Sequence, residues 1–445
     1  MRRETLSSPS GGSPPEGGEG GFLARLWALV ISARDVARVL AEFRPGLSVY
    51  LQGATGEPLV LREILAGAPE ALGGVSLTSC MLPGMNEFDY AGLHAEARLT
   101  TFLLPTGLRR SFEAGRVRVR PLPYSQIAAA FAVDPPFDLA IFQVTPPDGA
   151  GLCSFGPLSD FPGLIWPRAR RRLAFVDHQL PRARRGPTIP FAAIDVAVEA
   201  DGPIILGDDG EPGAAELGVI AARIAALIPD GAAIQTGIGG APAATVGRLT
   251  DRRGLVVRSG MVTQGYRVLD EAGALDPAAD HVTGLALGSA DFTRWAAERF
   301  IFADATVTHG ATVLAATPRL FALNSALEVD LFGQANLEWR GGRLASGLGG
   351  APDFAAAARR SEGGRAVLAL PSTAKGGALS RIVARLAAPT VSIPRDDTDL
   401  VITEHGVADL RGTGLDDRAE ALIAVAAPDH RAALTAAWVA MRRAM

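Results

Sequence analysis

Cysteine occurs only twice in this 445-residue chain, as Cys80 and Cys153, and nearly every basic side chain is arginine. The two cysteines form no CxxC motif and no metal-ligand cluster, so no metal site is expected, and their scarcity suits a reducing cytoplasm. No apolar run reaches the roughly 20 residues that span a bilayer, so no membrane partner is expected. An excess of one charge is also missing. The 43 basic and 47 acidic residues leave −4, and nothing suggests a polyanion-binding face, which argues against nucleic acid. The chain has neither a GxGxxG fingerprint nor a Walker lysine, which removes a dinucleotide or nucleoside triphosphate site. No solenoid-type repeat is present.

What is present is apolar substance, 48% of residues, enough for two buried α/β cores. Residues 1–22, rich in Gly, Ser, Pro and Glu, read as a disordered tail. Arg2 and Arg3 ahead of the apolar run 26–33 mimic an export signal, but Glu16 and Glu19 intervene. The run is followed by a helix start, with capping-box-like spacing from Ser32 to Asp35. Residues 137–145, 172–176, 232–236, 255–257, 366–369 and 399–403 read as buried strands. Residues 216–228 place Leu217, Ile220, Ile224 and Leu227 on one helical face. This alternation predicts an α/β fold of mainly parallel sheets covered by helices. A polar, turn-rich segment at 201–212 puts the domain boundary near residue 200, giving domains at 23–200 and 201–445. Two helices are expected at the C-terminus, the second opened by Pro428.

Four segments are candidates for chemistry. Gln235-Thr-Gly-Ile-Gly-Gly-Ala-Pro242 follows an apolar strand and precedes a short helical stretch. Glycines at such a junction let backbone approach a ligand, and helix-start N–H groups favour an anion; the plainer reading is a tight packing turn. In Ser346-Gly-Leu-Gly-Gly350 three glycines in four residues offer N–H donors to a thioester oxygen becoming an oxyanion, or simply build a loop with left-handed residues. Lys375 stands beside glycines in LPSTAKGG (370–377), where it reaches a phosphate as a point charge or is a solvated loop lysine. TEHGVADLRG (403–412) offers Glu404 and His405 as acid–base residues, although pairing or capping roles are the more ordinary use.

Taken in order, these segments resemble the acetyl-CoA hydrolase/transferase family, class I CoA-transferases of the 4-hydroxybutyrate and butyrate–acetate type. LNSALEVDLFGQAN (323–336), PYSQI (123–127) and DLAIFQVTPPDGAGLCSFG (138–156) extend the likeness. The resemblance implies two related open α/β domains with the active site between them. It implies coenzyme A or an acyl-CoA as substrate, with no permanently bound cofactor, and a short-chain carboxylate as partner. It leaves a homo-oligomer open. It carries CoA contacts onto Gly237, Ile238, Gly239, Gly240, Ala241, Leu327, Ser346, Gly350 and Lys375, although some relatives have asparagine where Ser346 stands.

One departure matters more than these matches. Family transferases use a glutamate in a His-(Thr/Ser)-Glu segment after the glycine loop. The ungapped alignment places Arg258, Ser259 and Gly260 there. A glutamate would attack the acyl-CoA carbonyl and then carry CoA as a thioester; Gly260 has no side chain with which to do so. Glu328, Glu404, Asp270 and Glu271 are the substitute candidates, and Glu328 is a weak one. It follows Leu327, and in a strand it points to the opposite face. The expectations are therefore hydrolysis in place of covalent transfer, by water held in the space left at Gly260, or CoA-thioester binding without catalysis.

Overall fold

The computed structural model describes residues 31–32, 35–207 and 215–445. The tail assigned to residues 1–22, most of the apolar run 26–33, and 208–212 of the polar segment lie outside the described residues. The expected helix start is followed by a short helix, Val36–Leu40.

Among the described residues, two eight-stranded sheets organise the molecule. The first contains β1 (Ile31–Ser32), β2 (Ser48–Leu51), β3 (Ser76–Thr78), β4 (Arg98–Thr101), β5 (Val117–Val119), β6 (Leu139–Val144), β7 (Arg172–Val176) and β8 (Val196–Glu199). The second contains β9 (Ala233–Thr236), β10 (Val256–Val262), β11 (Val282–Ala286), β12 (Ile301–Phe302), β13 (Leu320–Ser325), β14 (Arg365–Ala369), β15 (Leu400–Thr403) and β16 (Gly406–Asp409). All neighbours are parallel except β15 and β16. Outward from its centre, the first sheet runs β2-β3-β4-β5 one way and β6-β7-β8 the other. The second repeats this with β9-β10-β11-β12 and β13-β14-β15. The chain order therefore reverses between β2 and β6, and again between β9 and β13. Crevices at such reversals, outside the carboxyl ends of the strands, are where open α/β sheets bind ligands.

The central strands are the most deeply buried, as in a parallel sheet covered on both faces; every residue of β6 and β9 is buried. The helix Ala215–Leu227 buries Ile220, Ala221, Ile224 and Ala225. Leu227, expected on that face, is 39% exposed. It ends the helix, and the chain turns so that Ile228 takes the buried position. The two C-terminal helices are Leu415–Ala424 and Pro428–Arg443.

The two halves are joined through backbone as well as side chains. Ser159 N donates to Gly284 O at 2.8 Å, and Ala286 N donates to Pro157 O at 3.0 Å. Leu285 and Ala305 of the second half are buried in the first half's inner cluster. The loop 346–350 is clasped in the same way: Leu104 N donates to Ser346 O at 3.3 Å and Tyr124 N to Gly349 O at 3.1 Å. Just beyond it, Asp353 accepts from Ser125 N at 3.1 Å and Ser125 Oγ at 2.5 Å. Burial pushes the Asp353 carboxyl up to about 6, although both Ser125 hydrogen bonds pull the other way.

This clasp has a testable sign. The folded pKa of Asp353 lies above its unfolded value, so its contribution to stability falls as pH rises from about 4 through about 6. Ser125→Ala removes a hydrogen bond to the ionised form and is expected to cost about 1–3 kcal/mol. Urea denaturation should show a larger loss at pH 8 than at pH 5; an equal loss at both would remove Asp353 from the account.

Candidate active site

The second sheet's reversal opens into a cavity of about 180 Å³. The end of β9 supplies Gln235, Thr236, Gly237 and Ile238, and the end of β13 supplies Asn324 and Ser325. Ser346, Gly347, Leu348, Gly349 and Gly350 form another wall, and the first half adds Leu82, Leu103 and Tyr124. The cavity therefore lies between the two halves, at the crevice the topology predicts.

Its glycines are set by close approach. A Cβ on Gly237 would stand 2.3 Å from Asn324 Oδ1, and one on Gly239, whose φ is +152°, would stand 2.1 Å from Ser325 Oγ. A Cβ on Gly347 would stand 2.3 Å from Phe102 O. Each of these is closer than any real side chain allows. Among the described residues no protein group accepts from the N–H groups of residues 347–350, and these residues line the cavity. Preorganised donors of this kind stabilise charge as it develops on a carbonyl oxygen.

Of the residues singled out in the sequence, Gly237, Ile238, Gly260, Ser346 and Gly350 meet in the cavity wall. Ile238 is 65% exposed, an apolar lip beside it. Outside the wall, Gly239 ends the loop, Gly240 begins the helix Gly240–Val246, and Ala241 is buried in the core beneath it. Leu327 is outside the wall. Lys375, the only lysine in the chain, is exposed on the turn between Thr373–Ala374 and Leu379–Ser380, with φ +52°.

The substitute carboxylates lie elsewhere. Glu328 is outside the wall and accepts from Asn336 Nδ2 at 3.4 Å. Glu404 accepts from Ser372 N at 2.9 Å and lies 3.6 Å from His405. Asp270 pairs with Arg299 and Glu271 with Arg267. Asp160 is buried against Gly284, and its Oδ1 has no hydrogen-bond partner among the described residues. Burial and then Asp304 raise its pKa to about 7, yet it does not line the cavity either.

The space beside Gly260 is not the water-sized gap that the sequence suggested. A Cβ there would stand 2.8 Å from both Cε1 and Nε2 of His309 and 3.7 Å from Phe354. The same imidazole closes on Gly350, where a Cβ would stand 2.3 Å from Nε2. His309 is 3% exposed. Its ring lies between Tyr124 of the first half (centroids 4.8 Å apart) and Phe354 (4.9 Å). Burial alone pushes its pKa down to about 3, so the ring is neutral wherever the pH is ordinary. Sequence reasoning passed over His309. It sits in ATVTHGAT (305–312), without a motif, and only the fold brings it to Gly260.

A two-sheet α/β protein with a glycine-walled crevice at a strand reversal between its halves is built to admit a ligand there. The sequence of the acetyl-CoA hydrolase/transferase C-terminal domain matches residues 288–438. A 4-hydroxybutyrate coenzyme A transferase of Clostridium kluyveri is 31% identical over 417 residues, covering 91% of this chain and 96% of that protein. The crystal structure of RipA from Yersinia pestis matches with a TM-score of 0.87 at 25% identity, over 94% of this chain and 99% of that one. A 4-hydroxybutyrate CoA-transferase structure from Porphyromonas gingivalis gives 0.77 at 28% identity, over 96% and 100%. The chain belongs to the acetyl-CoA hydrolase/transferase family.

The occupied space at Gly260 makes a prediction about restoring the family carboxylate. Gly260→Glu alone drives its side chain into the imidazole, an overpacking worth roughly 1–3 kcal/mol, and should gain no acceptor-dependent transfer. Combined with His309→Ala, which vacates the slot, it should gain transfer of CoA to an added carboxylate. Transfer by the single variant at a rate equal to the double would show that the slot is open.

Proposed function

We propose that the protein binds an acyl-CoA with its thioester in the crevice between the halves and cleaves it with water. The observation that carries this is the wall itself: among the described residues no aspartate, glutamate, lysine or arginine lines the cavity. Without a carboxylate there is no group to form the acyl anhydride and the enzyme-bound CoA thioester that covalent transfer requires. The free N–H groups of 347–350 still suit the oxyanion of a tetrahedral intermediate. The C. kluyveri relative is named for CoA transfer, whereas Gly260, where the resemblance puts the family glutamate, has no side chain to carry that step.

The same uncharged wall bears on the acyl group. Leu82, Leu103, Met261 and Leu285 line the cavity, so it favours a neutral, apolar acyl chain over one ending in a second carboxylate, which would be buried unpaired. The thiol end of CoA fits the crevice, and the distal phosphates remain for Lys375 outside it. We place the protein in the cytoplasm, a reading supported by two free and buried cysteines. Among the described residues no helix is long and apolar enough to cross a membrane, and no group of three or more His, Cys, Asp or Glu is placed to hold a metal ion.

Thiol release should be followed with a panel of acyl-CoAs, with and without acetate. Release without acetate, at least about 10-fold faster for butyryl-CoA than for succinyl-CoA, is the expected result; the factor reflects the cost of burying an unpaired charge. Release that requires acetate would mean a nucleophile has been missed. CoA binding by calorimetry with no release from any thioester would make this a binding protein. Lys375→Ala should weaken CoA by about 1–2 kcal/mol, as for one charge-assisted hydrogen bond.

A further inference from the structure

The cavity wall contains two titratable side chains, Tyr124 and His309. Tyr124 Oη is engaged by Cys80 Sγ at 3.4 Å, and burial raises its pKa well above the ordinary phenol value. His309 is different, because its hydrogen bonds specify which nitrogen is free. Thr308 Oγ1 lies 3.2 Å from Asp304 O and 2.9 Å from His309 Nδ1. A carbonyl oxygen only accepts, and a hydroxyl has a single proton. Thr308 therefore donates to Asp304 O and accepts from Nδ1–H. That tautomer leaves the lone pair on Nε2, the atom nearest the position of a Cβ on Gly350 and level with Cε1 at Gly260. Among the described residues no protein group bonds to Nε2.

The ring is also immobilised for the task. It follows the turn Ala305–Thr308, His309 N donates to Ala305 O at 3.1 Å, and Tyr124 and Phe354 hold its two sides. Phe354 belongs to the helix Ala351–Arg360, which begins where the glycine loop ends. The ring therefore packs against the helix that the glycine loop opens, an arrangement that would hold a base and oxyanion donors around one carbonyl.

We propose that His309 is the catalytic base of this site, standing where the family glutamate would project and activating water through Nε2; this rests on the hydrolytic reading above. Nε2 takes a proton from the water, whose oxygen bonds to the thioester carbon while the carbonyl π pair moves onto oxygen beside the N–H groups of 347–350. As the tetrahedral intermediate collapses, the C–S bond breaks. The imidazolium returns its proton to the departing sulfur, giving CoA thiol and the free acid. Burial that keeps the ring neutral at rest does not oppose this step, because the imidazolium forms next to an oxyanion and the two charges compensate each other's desolvation.

The test uses the full-length protein and butyryl-CoA. His309→Gln should lower kcat for thiol release by about 100-fold or more, the scale of general base catalysis, while calorimetric CoA affinity stays within about 3-fold of wild type, one dispersed contact being exchanged for another. Thr308→Val, which keeps the packing and removes the tautomer lock, should lower kcat by about 10-fold with affinity unchanged, the lower part of the same range. A folded, CoA-binding His309→Gln that keeps a third or more of the wild-type rate overturns the assignment. If that variant does not fold, an unchanged rate in Thr308→Val overturns it. An acylated His309 peptide after acid quench also overturns it, in favour of a nucleophilic imidazole. Wild type that releases no thiol, or releases it only with an added carboxylate, removes the hydrolytic reading and this role together. Water-dependent release that survives His309→Gln removes the role of His309 alone.

Discussion

The imidazole of His309 lies where a side chain on either Gly260 or Gly350 would begin. A residue with a Cβ at 260 would force the ring out of its slot between Tyr124 and Phe354, and one at 350 would separate it from the glycine loop. Protein interiors tolerate little misfit, so the three positions behave as one unit. Gly260, where the resemblance puts the family nucleophile, is the glycine that makes room for the ring.

The larger fold brings this contact about. Neither sheet alone makes the cavity: the second contributes the strand ends at its reversal, and the first contributes Leu82, Leu103 and Tyr124. The halves are fixed by main-chain bonds on two sides of the crevice, near Gly284 and near Gly349. Small shifts between the halves would therefore act directly on the ring that Tyr124 covers. The first sheet has an equivalent reversal between β2 and β6, but its neighbourhood is filled. Gln52, Gln143 and Asp160 are buried around it, and the space left there is about 10 Å³, room for a water at most.

Much of the fold was legible before any coordinates. Apolar runs at 172–176 and 366–369 became β7 and most of β14 because parallel strands covered on both faces have no polar side to hide. The glycine loops were legible for a related reason, since a residue without a Cβ is conspicuous wherever the chain must approach something closely. The resemblance singled out Gly260, but not the ring packed against it. His309 lies 49 residues further on, in a segment with no periodicity and no motif, and only strand pairing and the clasp of the two halves carry it back. The exposure of Leu227 was missed for a local reason: periodicity alone does not say where a helix stops and its neighbour takes the buried place.

The central claim is that water, not a carboxylate, receives the acyl group. The most direct measurement is turnover of butyryl-CoA by the wild-type protein in ¹⁸O-labelled water with no added acid, followed by mass analysis of the product. The account predicts free CoA thiol and butyrate carrying solvent-derived ¹⁸O. Butyrate without solvent oxygen, or no product until a second carboxylate is supplied, would contradict it.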